Sequence, residues 1–454
     1  MGFWLLGASA LAFTAVFTWP VALWWLAIPA LVLLWLACER QQVGWWSLCA
    51  WGLVIYGVHA VFLLRSFATL FRTGPSLVGG WAFLTFYFVL HAGLWGWCMG
   101  FVRQKLVLPW CRLLVYCVLS WGFFSWIATS IFWVFDCWEG YPLLDILAPF
   151  GAARLGCVWT GLLGFAGARL LVLVYAMICT LVLVYVRWWL ILALFVVTIG
   201  LFVPLAYVRT EVPAWVPSVG VAHAGFLPLG PQHSAVRTGQ VYGACLCGAV
   251  SGLLAQWPNV RLLIAPEAAF PPCLNKDKPV CRCLSQALEG RQLVLGAARS
   301  SYEGIYTSVY LMESQGIVDW YDKTHGMFFI ERTPKWFAGL QKWVGYGHST
   351  MRGLKPVKYL RIGEDQYVLP CVCSELFFTD CIASCPRHVP VVACVNDGWY
   401  QGNPITHLLW GVARLKASAH QVSIVYVSFA YAQVLLPDGC VIPLPQCCVP
   451  ASDL

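Results

Sequence analysis

Tyr367-Val368-Leu369-Pro370-Cys371-Val372-Cys373-Ser374-Glu375-Leu376-Phe377-Phe378 decides the fold of the second half of this chain. An apolar run of strand length stops at a thiol; a small polar residue, a carboxylate and a second apolar stretch follow. The pattern reads as a buried strand, a sharp turn and a helix that Ser374 could cap. A thiol at a helix N-terminus ionises more readily than a free one. Two upstream stretches share this build. Leu262-Leu263-Ile264-Ala265 runs into Pro266-Glu267-Ala268-Ala269, and Trp320-Tyr321-Asp322-Lys323 leads to Thr324-His325. A carboxylate, an ammonium and a thiol therefore occur in chain order, each beside strand-like sequence. A base, an oxyanion partner and a nucleophile are what acyl transfer through a thioester requires. Any one of them alone would read as a loop carboxylate, a surface lysine or a structural thiol; the conjunction carries the chemistry.

Around these stretches, short apolar runs alternate with helix-like segments from about residue 218 onward. Leu293-Val294-Leu295-Gly296, Tyr306-Thr307-Ser308-Val309-Tyr310-Leu311 and Val389–Val395 before Asn396-Asp397-Gly398-Trp399 are further strands. This predicts a layered α/β domain.

The first half differs in kind. Hydrophobic residues make up 60% of the 454 residues and charged ones 11%, against about 25% charged in soluble proteins. Of the 28 Lys/Arg and 20 Asp/Glu, nine and four fall before residue 208. Seven apolar runs, at about 3–19, 20–38, 43–64, 78–101, 107–135, 156–182 and 188–207, read as membrane spans. The first two meet at Trp19-Pro20. With the N-terminus inside, Arg40, Arg103, Lys105, Arg112 and Arg187 face the cytoplasm and Arg65, Arg72 and Arg154 lie opposite, which favours that orientation. Residues 208–454 then lie outside the cytoplasm. The segment 136–155, punctuated by Gly140, Pro142, Pro149 and Gly151, reads as re-entrant or surface-lying. Arg169, inside the sixth run, is a lipid-headgroup contact, a snorkelling side chain or an interhelical ion-pair partner.

Net charge is +8 with no basic run, which gives no ground for nucleic-acid binding. The 21 cysteines contain no CxxC pair, which argues against a zinc cage. Those in apolar spans act as small hydrophobes, and disulfides in an oxidising compartment stay open for the rest. His388, His407 and His420 lack ligand spacing. The chain shows no cleavable signal peptide, since no basic n-region precedes the first apolar run. Pro334–Trp343 interleaves lysine with aromatics and suits either a mobile lid at the interface or a packed amphipathic helix.

Taken together, Pro-Glu-Ala-Ala at 266–269, Asp-Lys-Thr-His at 322–325, Glu-Arg-Thr-Pro at 331–334, Cys-Ser-Glu at 373–375 and Asn-Asp-Gly-Trp-Tyr at 396–400 resemble the nitrilase (carbon-nitrogen hydrolase) superfamily. The upstream spans, and Gly140-Tyr141-Pro142 with Leu147–Gly151, make the chain similar to its membrane branch, apolipoprotein N-acyltransferase. The resemblance implies a polytopic α-helical membrane domain (1–207) followed by an αββα sandwich (208–454). It implies Glu267 as general base, Lys323 as oxyanion partner and Cys373 as nucleophile. Glu331 and Glu375 would be supporting carboxylates beside Ser374, and Trp336, Trp343, Trp399 and Tyr400 would contact substrate. The partners implied are the membrane, a phospholipid acyl donor and a lipoprotein amine acceptor. No metal or organic cofactor is implied, and the place would be the bacterial inner membrane with the catalytic domain on the periplasmic side.

Three departures qualify the acceptor. Ser374 stands where the family has a bulky aromatic, Ile330 stands where it has glycine, and no 20-residue apolar run follows residue 207. Conjugal-transfer proteins of the TraB type look like relatives of this kind, so an amidase or acyltransferase with a different acceptor is the alternative. A non-catalytic scaffold that kept the fold is a third reading.

Overall fold

The computed structural model describes residues 2–40, 43–67, 74–130, 142–185, 191–192, 194, 196–201, 212–224, 235–326, 353, 358–364, 366–377, 379–400 and 403–449. The chain forms two compact units. One comprises Met1–Arg209 with Gly402–Ala419, the other Thr210–Gln401 with His420–Leu454.

The first unit is helical: α1 (Gly2–Thr18), the short α2 (Pro20–Leu23), α3 (Ala27–Arg40), α4 (Trp45–Phe67), α5 (Gly74–Lys105), α6 (Pro109–Ser130) and α7 (Arg154–Tyr185). Among the described residues five helices are long and apolar enough to cross a membrane: Pro20–Arg40, Trp45–Phe62, Trp81–Lys105, Pro109–Ser130 and Arg154–Tyr185. The expected first run is a shorter apolar helix, Phe3–Thr18, and 188–207 lies largely outside the described residues. The fifth run is helical over Pro109–Ser130, and its remainder, 131–135, lies outside the described residues. The sixth run is broken, since Gly164 inside α7 has φ +67 and ψ 177. That conformation needs a residue without Cβ and kinks the helix. Large apolar side chains face outward, among them Trp4, Leu11, Trp46 and Phe86, far more than a water-facing surface usually carries.

Inside this bundle, residues 142–152 fold as two 3₁₀ turns, Pro142–Leu144 and Ala148–Ala152. Leu143, Leu144, Ile146, Leu147, Phe150 and Gly151 are buried. Of the readings raised above for Arg169, the structure shows an ion pair, made to the loop residue Asp145 rather than to a neighbouring helix. Arg169 Nη2 lies 2.5 Å from Asp145 Oδ2, its Nε donates to Asp145 Oδ1 at 3.0 Å and its Nη1 donates to Ser125 Oγ at 2.6 Å. Asp145 Oδ1 also accepts from Leu147 N. One buried fork thus fastens the loop to α6 and α7. Arg414, on the helix Pro404–His420, donates to the carbonyls of Gly151 and Ala152. A Cβ at Gly151 would stand 2.1 Å from Gly411 O, so only glycine permits that approach.

The second unit has two six-stranded sheets. Sheet 1 has the order β12-β1-β2-β3-β4-β5 and sheet 2 the order β11-β10-β9-β8-β7-β6. The strands are β1 (Val219–Ala224), β2 (Leu262–Cys273), β3 (Gln292–Ser300), β4 (Ile305–Glu313), β5 (Gly316–Asp322), β6 (Leu360–Arg361), β7 (Tyr367–Val372), β8 (Val391–Cys394), β9 (Ile424–Val427), β10 (Ala432–Leu435), β11 (Val441–Pro443) and β12 (Gln446–Val449). Both sheets repeat one plan. Three parallel strands (β1, β2, β3; β7, β8, β9) are followed by two antiparallel ones, and a sixth strand pairs with the first.

Period-two alternation divides the side chains. Leu263, Ala265, Leu293 and Leu295 pack under α8 (Ala235–Gln256) and α9 (Lys278–Ala287). Leu262, Ile264 and Val294 turn the other way, onto Val372, Val392, Val425 and Val427 of sheet 2. The helix layer therefore covers sheet 1, and sheet 1 lies on sheet 2. This is the predicted layered α/β architecture, read as three successive layers of this unit.

Removing one member of a buried ion pair strands the other, a cost of about 3–5 kcal/mol, whereas replacing both by apolar groups costs far less. Arg169→Met should accordingly lower the unfolding temperature in detergent more than the double variant Asp145→Leu/Arg169→Met. Thermal melts of the two variants check this.

Candidate active site

Glu267 sits on β2 where the ladder with β3 slips between Ala265 and Phe270. An irregularity of this kind re-aims side chains. The following residue, Ala268, has φ +57. Gly296 on β3 accommodates the bend, since a Cβ there would lie 2.5 Å from Glu267 Cα and 2.6 Å from Pro266 O. The result is a carboxylate only 6% exposed.

Lys323 follows β5 directly. Its amide donates to Thr307 O and its carbonyl accepts from Gly353 N, each at 2.8 Å. Its ammonium, 4% exposed, meets Glu267 Oε1 at 3.2 Å. The neighbouring Asp322 is held by Arg299 through two hydrogen bonds of 2.7 and 2.6 Å and by Ser308 Oγ at 2.6 Å. Three strands, β3, β4 and β5, thus fix where Lys323 leaves the sheet.

Cys373 ends β7. It is half-buried and has φ +46. Among the described residues four non-glycine positions have positive φ, and Ala268 and Cys373 are two of them. Such strain costs about 1–3 kcal/mol per residue and gathers at functional sites. The expected helix after Cys373 is instead a 3₁₀ turn, Cys373–Phe377, followed by the five-residue α10 (Thr379–Ala383). Ser374 therefore caps no helix; its Oγ donates to His325 O at 2.9 Å.

Glu375, fully buried, ties the pieces together. Its Oε1 accepts from Tyr321 OH at 2.8 Å, Thr324 N at 2.5 Å, Thr324 Oγ1 at 2.9 Å and His325 N at 3.2 Å. Its Oε2 accepts from Val372 N at 2.9 Å. One carboxylate thus binds the segment around Lys323 to the segment around Cys373. Burial and the Glu375 charge push the Tyr321 hydroxyl pKa well above its ordinary value, so Tyr321 is a neutral donor. Burial, then Glu375 and the neighbouring thiols, hold the Cys371 thiol well above its ordinary range. Cys394, in register with Val372, is likewise held up by burial and then by Glu267. These two thiols are poor nucleophiles beside the half-buried Cys373.

His325, Glu375 and Cys381 come close enough to hold a metal ion, and are the one such group among the described residues. The carboxylate oxygen is already saturated by four donors, so the cluster works as a hydrogen-bonded clasp. Asp397 makes a second clasp. It accepts from Ser428 Oγ at 2.7 Å and from Phe429 N at 2.9 Å, while its carbonyl accepts from Tyr400 N. Tyr400, expected at the pocket, is buried in the turn Gly398–Tyr400. The side chain of Trp399, together with Glu331, Trp336 and Trp343, lies outside the described residues. Residue-level reading did not single out Tyr321, Thr324, Arg299, Ser308 or Gly296, because their roles depend on strand register.

No protein-family model matches the sequence, and no curated protein matches it significantly. Solved structures do resemble part of it. A glutamine-dependent NAD+ synthetase from Acinetobacter baumannii is similar at TM-score 0.33 and 14% identity, over 50% of this chain and 43% of that one. A CN-hydrolase superfamily protein from Xanthomonas campestris is similar at TM-score 0.34 and 14% identity, over 50% of this chain and 86% of that one. The glutamine-dependent NAD+ synthetase of Cytophaga hutchinsonii is similar at TM-score 0.34 and 10% identity, over 49% and 39%. The chain spans less than half the length of the two synthetases.

Two outcomes follow. Glu375→Leu leaves buried donors without an acceptor, each costing roughly 1–3 kcal/mol; denaturant unfolding should show a loss of more than about 3 kcal/mol. Burial, only partly offset by Ser428 and backbone donors, pushes the Asp397 carboxyl from 3.8 up to about 6. The folded state then binds this proton more tightly than the unfolded chain does, so stability from Asp397 is full below about 4 and is lost as pH rises through 6. Asp397→Asn should remove that slope from a stability–pH series.

Proposed function

We propose that the second unit is a nitrilase-like acyl-transfer enzyme in which Cys373 carries a thioester, and that the apolar helices of the first unit insert it in a membrane. The contact that carries this reading is the buried pairing of Lys323 with Glu267, joined through the Glu375 clasp to a thiol on a strained strand-end turn. Base, ammonium and nucleophile then have distinct duties. Glu267 takes the Cys373 proton and the thiolate attacks an ester carbonyl carbon. The Lys323 ammonium and backbone N–H groups after Cys373 hold the oxyanion. The C–O bond breaks, a lysophospholipid leaves with a proton returned from Glu267, and an acyl thioester remains. An amine attacks that thioester in turn, forming an amide and freeing the thiol, so the kinetics are ping-pong. The scheme calls on no metal or organic cofactor.

A lipid donor suits a catalytic unit carried on the same chain as helices of membrane-spanning length. The resemblance to apolipoprotein N-acyltransferase favours the N-terminal amine of a lipoprotein as acceptor, with the catalytic unit on the outer face of a bacterial inner membrane. One observation favours a different acceptor, as in a transfer-associated relative. Ser374 replaces a bulky aromatic beside the nucleophile, and its hydroxyl is committed to His325 O, which leaves less of a wall there. The resemblance assigns Glu331 a supporting role as a further carboxylate.

Lysophospholipid release from labelled phospholipid vesicles by the purified full chain tests the reading. Cys373→Ala should abolish release, and Lys323→Met and Glu267→Gln should each lower it by about 10²-fold or more. Release unchanged in Cys373→Ala would overturn the thioester.

A further inference from the structure

Helices α8 and α9 link adjacent parallel strands, β1 to β2 and β2 to β3. Both are therefore crossovers on one face of sheet 1 and run in the same direction along it. Their line of contact is drawn by two glycines. A Cβ at Gly239 would meet Asp277 Oδ2 at 3.0 Å, and a Cβ at Gly243 would meet Val280 Cγ2 at 2.4 Å. Residues four apart on α8 and three apart on α9 thus face each other rung by rung, and the missing side chains on α8 let the helices approach closely. Carried one turn further, the same spacing sets Cys247 against Cys283. Cys247 is nearly buried at 8% exposure and Cys283 is exposed. Burial first, then the adjacent Cys283 thiol, raises the Cys247 pKa. The other thiol of α9, Cys281, donates to Leu274 O at 3.2 Å.

We propose that Cys247 and Cys283 form a disulfide site, a covalent staple that closes between α8 and α9 when the protein meets an exchanging disulfide. The site lies outside the acyl-transfer chemistry and does not depend on it. Exposed Cys283 reacts first. Its thiolate attacks a small disulfide, forms a mixed disulfide and expels one thiolate. Cys247, losing its proton to solvent, then attacks Cys283 Sγ and expels the second. Two protein S–H bonds and one external S–S bond are lost, one protein S–S bond is gained, and the external disulfide leaves as two thiols carrying the two electrons. The staple closes a loop of 36 residues around β2, the strand that bears Glu267.

The full chain in detergent, treated with oxidised glutathione, alkylated and digested, should yield a Cys247–Cys283 linked peptide about 2 Da lighter than the sum of the free ones. The unfolding temperature should rise by about 5–10 °C, fall back on reduction, and not respond in Cys283→Ser or Cys247→Ala. Cys283 recovered as its glutathione adduct, with Cys247 still alkylatable after unfolding, would overturn the proposal. So would an equal rise in temperature in Cys283→Ser.

Discussion

The Glu375 carboxylate is the interaction on which the second unit depends. Four donors from Tyr321, Thr324 and His325 converge on one of its oxygens and the Val372 amide takes the other. A charge removed this completely from water is tolerable only when every lone pair is used. That demand makes the geometry stiff, because any drift of the Lys323 segment from the Cys373 turn would leave a donor unmet. The carboxylate touches no reacting atom in the proposed chemistry; it positions the two segments that do.

Strain complements this clasp. Ala268, next to the carboxylate inside β2, and Cys373, the thiol just past β7, hold left-handed backbone. The surrounding sheets supply the restraint: sheet 1 is packed by helices on one side and by sheet 2 on the other. Gly296 leaves room for the bend at Glu267. In the first unit a comparable constraint, the buried fork between Asp145 and Arg169, holds an irregular loop inside a helical bundle. Backbone without regular hydrogen bonds needs such internal partners where water is scarce.

Much of this was legible in the sequence. Apolar runs marked β2, β5 and β7; Lys323 and Cys373 follow their strands directly, whereas Glu267 lies inside β2 at the ladder slip. Glu375 stood out by its place two residues beyond the thiol. Its partners did not, since Tyr321 and Thr324 lie some fifty residues upstream and are brought to it only by sheet stacking. Arg299 and Ser308 reach Asp322 across a three-strand ladder, and register cannot be read from composition. The expected helix at Ser374 failed for a local reason, because the hydroxyl found His325 O and the turn tightened to 3₁₀. Arg169 left three readings open in sequence; its partner, Asp145, sits in a segment whose fold has no periodic signature.

The central claim is that Cys373, positioned by this clasp, is an acyl carrier. Intact-mass spectrometry of the full chain after incubation with phospholipid, beside Cys373→Ala, tests it most directly. The account predicts one added acyl mass, labile to hydroxylamine and absent from the variant. An unmodified protein with phospholipid bound, or an adduct that persists in Cys373→Ala, would contradict it.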